Sequence, residues 1–381
     1  MSKNIVFKNA MVYTDGAFRD TDVFVKDGII TAFRAPCCSF ESIVQIDCGG
    51  NFLVPGFIDI HTHGGAGVDV NRATQEEFER LSAFFASKGV SAYLASVLTD
   101  SEENTLRTLD TIVRYQISNA GGAKLLGAHL EGPFLSAAKK GAMPQQFLKP
   151  ADEALFEKYA ASGAVKYITI APEISGAIGL IEKISKSIPV AVGHSAADYA
   201  DTLAAIRAGA VASTHTFNAM QAIDRTEPHI LGAVLESDVY NEIIADGKHV
   251  HPANMRLLYR LKGNRKIIAI TDSIEAAGMP DGEYKLGINE VSVANGEAFI
   301  KGTHSRAGSV LCMDTALRNM VQFLGISLEQ ALPMFTENPA KLLKLNKGCI
   351  RCGYDADFVL LDKALQVRMT FRGGEAIYQA H

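Results

Sequence analysis

Seven side chains in this sequence could ligate a metal ion or move a proton, and each falls at the end of a short apolar run: His61, His63, His129, Glu131, His194, His215 and Asp272. The segment Pro55-Gly56-Phe57-Ile58-Asp59-Ile60-His61-Thr62-His63-Gly64-Gly65 ends a β-prone run in two histidines. Alternate residues of a strand share a face, so His61 and His63 point the same way. Two imidazoles aimed together suit zinc or a similar divalent ion. The alternative is a pair of solvated loop histidines, and partners elsewhere in the chain must decide. Glu131, His194 and His215 supply a carboxylate and two imidazoles, a zinc set with positions left open for water and substrate. His61 and His63 could then hold a second ion, with Glu131 bridging. Asp272 suits a general base acting on a metal-activated water, or a second-metal ligand that also shuttles the proton. His129 shares a face with Glu131 but lies one layer deeper, and is read as a supporting or core histidine.

Positioning these groups requires strands that end at one face. Eight apolar strand candidates cover 57–61, 90–98, 124–131, 165–171, 189–194, 211–217, 242–246 and 266–271. Amphipathic helical stretches separate several of them, at 74–88, 102–118, 153–162, 176–187, 199–208 and 254–261. Such alternation predicts an α/β fold, a TIM-type (β/α)8 barrel with its site at the C-terminal strand ends. A doubly wound open sheet is the rival, but no Gly-x-Gly-x-x-Gly turn opens a helix. Residues 1–54 read as short strands with Asp-Gly turns, and residues 346–381 return to short strands at 348–350, 356–361, 367–371 and 376–378. The two ends are expected to form a small β-sandwich beside a barrel of residues 55–345. A strand insertion over 283–300 and helices at 314–324 and 328–345 complete the expected elements.

Composition narrows the function classes. The chain has 381 residues, is 48% hydrophobic and 21% charged, and carries a net charge of -5 with scattered lysines and arginines. No basic stripe supports nucleic-acid binding. No apolar run is long enough for a membrane span, and the N-terminus lacks a signal-peptide core, so a cytoplasmic protein is expected. Cys37, Cys38, Cys349 and Cys352 could in principle form a zinc site, yet adjacent cysteines make awkward ligands. Reduced, packed thiols are the better expectation.

Several motifs go further: Pro-Gly-Phe-Ile-Asp-Ile-His-Thr-His-Gly-Gly (55–65), His-Leu-Glu-Gly-Pro-Phe (129–134), Lys-Lys-Gly-Ala (139–142), Gly-His-Ser (193–195), Thr-His-Thr-Phe-Asn-Ala-Met (214–220), Ala-Asp-Gly-Lys-His-Val (245–250), Thr-Asp (271–272) and Ala-Gly-Ser (307–309). In this order and over almost the whole chain, they resemble the amidohydrolase superfamily and, within it, the N-acetylglucosamine-6-phosphate deacetylases. The resemblance implies hydrolysis of an acetamide to acetate and a hexosamine 6-phosphate, with one or two divalent ions, zinc foremost. It implies a metal on Glu131, His194 and His215, a second-metal position at His61 and His63, and Asp272 as proton shuttle. It also implies substrate contacts from Ala142, Met143, Asn218, Ala219, Arg225, Thr226, His249, Ala307 and Gly308. The family's counterpart of His249 is expected to come from a neighbouring subunit, which implies a homodimer. No nucleic-acid or membrane partner is expected.

Two positions depart from the family pattern. Met143 stands where many relatives carry a polar residue facing the acetyl group, and it cannot donate a hydrogen bond. Thr226 stands where relatives place a phosphate-binding arginine before Glu-Pro, with Arg225 one residue early. These departures keep open another N-acyl substrate, such as N-acetylgalactosamine 6-phosphate or an unphosphorylated N-acetylhexosamine. A catalytically silent barrel acting as a binding subunit is the reading from another class, and the full set of ligands and base argues against it.

Overall fold

A computed structural model describes residues 3–33, 43–118 and 121–380. Eight parallel strands, Phe57–Thr62, Val90–Leu98, Lys124–Glu131, Val165–Ile170, Val190–Val192, Ala212–Ser213, Tyr240–Ile244 and Ile267–Ile270, pair in chain order. Backbone hydrogen bonds between residues 61–63 and 272–273 join the last strand to the first. Both faces of such a sheet are covered, so its strands read as continuous apolar runs. Val90–Leu98 is buried at every position.

A helix follows each strand: Gln75–Ser87, Glu102–Ser118, Glu153–Ala160, Ala177–Ile184, Tyr199–Arg207, His229–Glu236, Pro252–Lys262 and, after an insertion, Met313–Leu324. Local chemistry sets their starts. Thr74 and Glu77 form a capping box ahead of Gln75–Ser87, and Asp152 accepts from Ala154 and Leu155 ahead of Glu153–Ala160.

The chain ends form the sandwich. One sheet orders Ile29–Phe33, Val23–Lys26, Asn4–Lys8 and Val44–Asp47. The other orders Glu375–Gln379, Val367–Arg372, Phe358–Leu361, Phe52–Pro55, Met11–Thr14 and Ala17–Asp20, so the C-terminal strands pair with N-terminal ones. Phe7 of the first sheet meets Phe358 and Phe371 of the second edge-on, with ring centroids 5.0 and 4.9 Å apart.

Four expectations about elements need correction. The sixth strand is Ala212–Ser213 rather than 211–217, because Thr216 donates its N–H to the Glu242 carbonyl and the chain turns with φ of 28° at His215. Helix His229–Glu236 was not expected; Ile230, Leu231, Ala233, Val234 and Leu235 are all buried, so no polar face marks its period. The expected helix over 328–345 is three pieces, Leu328–Ala331, a 3-10 turn Leu332–Met334 and Glu337–Leu342. Pro333 and Pro339 lack the N–H that a continuous helix needs. Residues 348–350 form no strand. The insertion does form a hairpin sheet, Gly282–Leu286, Asn289–Ala294 and Glu297–Ile300. Cys37 and Cys38 lie outside the described residues; Cys48, Cys312, Cys349 and Cys352 are free thiols.

Candidate metal centre

The strand ends bring the candidate ligands together around one carboxylate. Glu131 Oε1 lies 3.0 Å from His215 Nε2, 3.1 Å from His194 Nε2 and 3.3 Å from His61 Nε2, and its Oε2 lies 3.0 Å from His63 Nε2. Asp272 Oδ1 stands 3.3 Å from His63 Nε2 and 3.5 Å from His61 Nε2. Two groups of ligand atoms therefore share Glu131: His61, His63 and Glu131, and Glu131, His194 and His215. All six side chains are buried.

Outer contacts aim the rings. His63 Nδ1 lies 3.0 Å from the Ser96 carbonyl, His194 Nδ1 lies 2.9 Å from the Lys139 carbonyl, and His61 Nδ1 lies 3.0 Å from Glu242 Oε2. An acceptor at Nδ1 selects the tautomer whose bare Nε2 faces Glu131. His129 differs: Ser96 Oγ and Thr169 Oγ1 each sit 2.9 Å from one of its ring nitrogens. Neither nitrogen is left for an ion, which is the supporting role expected of it.

Backbone strain collects here. His194, His215 and Asp272 have φ of 47°, 28° and 48°, a region that side chains other than glycine seldom adopt. Such strain persists only where the surroundings over-determine it, and it tends to collect at functional sites. Gly308 serves the same corner, since a Cβ there would lie 2.8 Å from the Asp272 carbonyl oxygen. Gly141 lets the 139–142 turn approach His194, where a Cβ would meet the ring at 3.2 Å.

The cluster favours positive charge. Burial opposes protonation of His61 and His63, but the Glu131 and Asp272 carboxylates outweigh it, holding His61 well above the usual imidazole range and pushing His63 up to about 9. Burial likewise opposes ionisation of Glu131, and the surrounding imidazoles, His61 foremost, hold its carboxyl well below the usual range. His129 is held well below its ordinary value by burial and by the nearby His61 charge.

A divalent ion fits this donor set. Asp59, Glu131, Glu242 and Asp272 are buried together, and no lysine or arginine is among their described hydrogen-bond or ion-pair partners. The Nε2 atoms of His194 and His215 face each other at 3.0 Å, and His61 Nε2 has no hydrogen-bond partner among the described residues. Converging Nε2 atoms, and carboxylates whose only basic neighbours are these imidazoles, suit a cation between them.

A cavity of about 210 Å³ opens above this cluster. His63, Glu131, His194, His215 and Asp272 form its floor, while Ala142, Met143, Asn218, Ala219, His249 and Gly308 stand on its walls. His61 is sealed beneath the floor. Ala307 is buried among Met143, Leu286 and Ile274 behind the wall. Arg225 and Thr226 are not on the wall; they lie on the exposed loop 222–226, where Thr226 bonds to Asp224. The expectation that a neighbouring subunit supplies His249 is corrected: this chain's own His249 lines its own cavity, its Nδ1 2.6 Å from Asp246 Oδ2.

The sequence reading missed Arg306, Ser305, Leu98 and Leu286 on the cavity wall, and Glu242 beneath it. Arg306 sits on an irregular loop after the hairpin insertion, where no period signals direction. Glu242 carried a signal, a charge within the apolar run Tyr240–Ile244.

The Amidohydrolase family profile matches residues 52–377. An N-acetylglucosamine-6-phosphate deacetylase of Lysinibacillus sphaericus is 35% identical over 384 residues, spanning 99% of both chains. The human N-acetylglucosamine-6-phosphate deacetylase is 36% identical, covering 98% of this chain and 95% of its own. Among solved structures, a mutant N-acetyl-D-glucosamine-6-phosphate deacetylase of Mycobacterium smegmatis, in complex with N-acetyl-D-glucosamine-6-phosphate, superimposes with a TM-score of 0.91 at 33% identity, covering 99% of this chain and 100% of that one.

Proposed function

The chain belongs to the amidohydrolase family, and from that premise we propose that it is a metal-dependent deacetylase converting N-acetylglucosamine 6-phosphate to glucosamine 6-phosphate and acetate. The observation that carries this reading is the Glu131 carboxylate within 3.0 to 3.3 Å of four imidazole Nε2 atoms, at the foot of a cavity that also exposes Asp272. Relatives of the same activity, alike over nearly the full length, support the substrate.

Glu131, His194 and His215 would hold one divalent ion, and His61 and His63, sharing Glu131, a second; the imidazole-rich set favours zinc. A bound ion supplies an activated water and polarises the amide carbonyl. Asp272 takes the proton from the attacking water at its carboxylate and returns it to the departing amine nitrogen. Its position beside His63 holds it at the reacting face. Asn218, Ala219 and Gly308 on the cavity wall would bound the sugar, and Met143 beside them would pack against the acetyl methyl. Ala142 and Met143 belong to the turn that passes His194.

His249 and Arg306 are the basic wall groups remaining for the 6-phosphate. Arg306 is a third exposed, and its Nη1 has no hydrogen-bond partner among the described residues. Arg225 stands on the exposed loop, off this chain's own cavity wall; the homodimer that the family resemblance implies is part of the proposal, to be tested by sedimentation. A charged sugar phosphate is retained inside cells, which supports a cytoplasmic setting. Among the described residues, no helix is long and apolar enough to cross a membrane.

A second reading, an N-acetylhexosamine without the phosphate or with the galacto configuration, is favoured by the exposed position of Thr226. Acetate release should be measured from N-acetylglucosamine and N-acetylgalactosamine, each with and without the 6-phosphate. The first reading expects N-acetylglucosamine 6-phosphate to be preferred over its plain sugar by about 10- to 100-fold in kcat/KM, the size of a charge-assisted contact. Equal rates on the plain sugar overturn it in favour of the second.

A further inference from the structure

Glu242 belongs to neither donor group, yet it touches both. It lies fully buried on the seventh barrel strand, Tyr240–Ile244. Its Oε2 accepts from His61 Nδ1 at 3.0 Å and from the backbone N–H of His215 at 3.1 Å. Its Oε1 accepts from the Tyr167 hydroxyl at 2.8 Å. One carboxylate thus underlies a ligand-capable histidine of each group.

We propose that Glu242 is a positioning residue that makes His61 competent as a metal ligand, and that occupancy of the His61–His63 position depends on it. The proposal rests on the metal-dependent reading above. Three observations carry it. Glu242 faces Nδ1 of His61, so the ring must present Nε2 to Glu131. The Nδ1 partners of His63 and His194 are neutral carbonyls, whereas His61 has a carboxylate, which makes its imidazole the stronger donor. Finally, the same oxygen pins the N–H of His215, whose φ of 28° needs an external constraint.

Glu242→Gln isolates the charge. The amide oxygen can still accept from His61 and His215 while its NH2 turns to the Tyr167 oxygen, so shape and hydrogen bonds survive. Chelator-treated protein should be titrated with zinc against a competing chelator, and bound zinc counted by mass spectrometry. Wild-type protein is expected to hold two ions per chain. E242Q should keep the tighter ion within about threefold and lose about 10- to 100-fold in affinity for the other, the usual effect of removing an outer partner of a ligand. In a His61→Asn background, E242Q should cost nothing further at that position, because Glu242 acts through His61. If E242Q fails to fold, Glu242→Asp, which keeps the charge but draws it back from His61 Nδ1, should weaken the second ion in the same direction. Two ions held with wild-type constants in E242Q, or a wild-type chain that holds only one, overturns the proposal and leaves the deacetylase reading standing. A wild-type chain that takes up no ion overturns both.

Discussion

The backbone N–H of Asp272 donates to the carbonyl of His61 at 2.9 Å, tying the end of the last barrel strand to the end of the first. The bond sets Asp272 Oδ1 3.5 Å from His61 Nε2 and 3.3 Å from His63 Nε2. Barrel closure and the geometry of the proposed base are therefore one feature. A carboxylate held this way can accept a proton without moving its backbone.

Asp272→Asn tests that role. The amide keeps the shape but cannot act as base, so acetate release should fall by about 10²- to 10⁴-fold. Zinc content should be unchanged, because Glu131, His194 and His215 remain in contact. A variant that retains zinc and most of its rate would remove Asp272 from the proton path.

Much of this centre was legible in the sequence. His61 and His63 share a face by strand alternation, and each of the other candidates closes an apolar run. The grouping around Glu131 was legible as well; the distances at which the rings meet it were not, because they depend on strand register and on the left-handed turns at His194, His215 and Asp272. Nor was Arg306, whose loop is placed by the hairpin insertion and by contact with Glu297 and Phe299. At the fold level, the barrel and the sandwich pairing of the two chain ends followed from strand period. Helix His229–Glu236 did not, since burial on nearly all sides erases the amphipathic signal.

Arg306→Ala should discriminate between substrates. Loss of a charge-assisted contact to phosphate is expected to raise KM for the 6-phosphate ester about 10-fold or more, with kcat little altered. The plain sugar should show no change in KM. A parallel rise for both sugars would indicate that Arg306 only shapes the wall, through its ion pair with Glu297.

The pH dependence of stability should depend on the ion. His63 sits at about 9 in the folded chain against an ordinary value of 6.5. Its protonated form stabilises the chelator-treated protein fully below pH 6.5, and that contribution is lost as pH rises through about 9. The Tm of chelated protein is thus expected to fall between those pH values. Zinc-loaded protein should show a shallower fall, because the ion takes over from the proton. Identical slopes in thermal melts of the two forms would contradict a shared position for proton and ion.

The most direct test of the proposed chemistry is a metal reconstitution assay. Protein stripped with a chelator should be inactive towards N-acetylglucosamine 6-phosphate. Stepwise addition of zinc should restore acetate release in proportion to ions bound at Glu131, His194 and His215. His194→Ala should abolish both the tighter binding and the recovery. Full acetate release from protein shown by mass spectrometry to carry no metal would contradict the metal-dependent deacetylase outright.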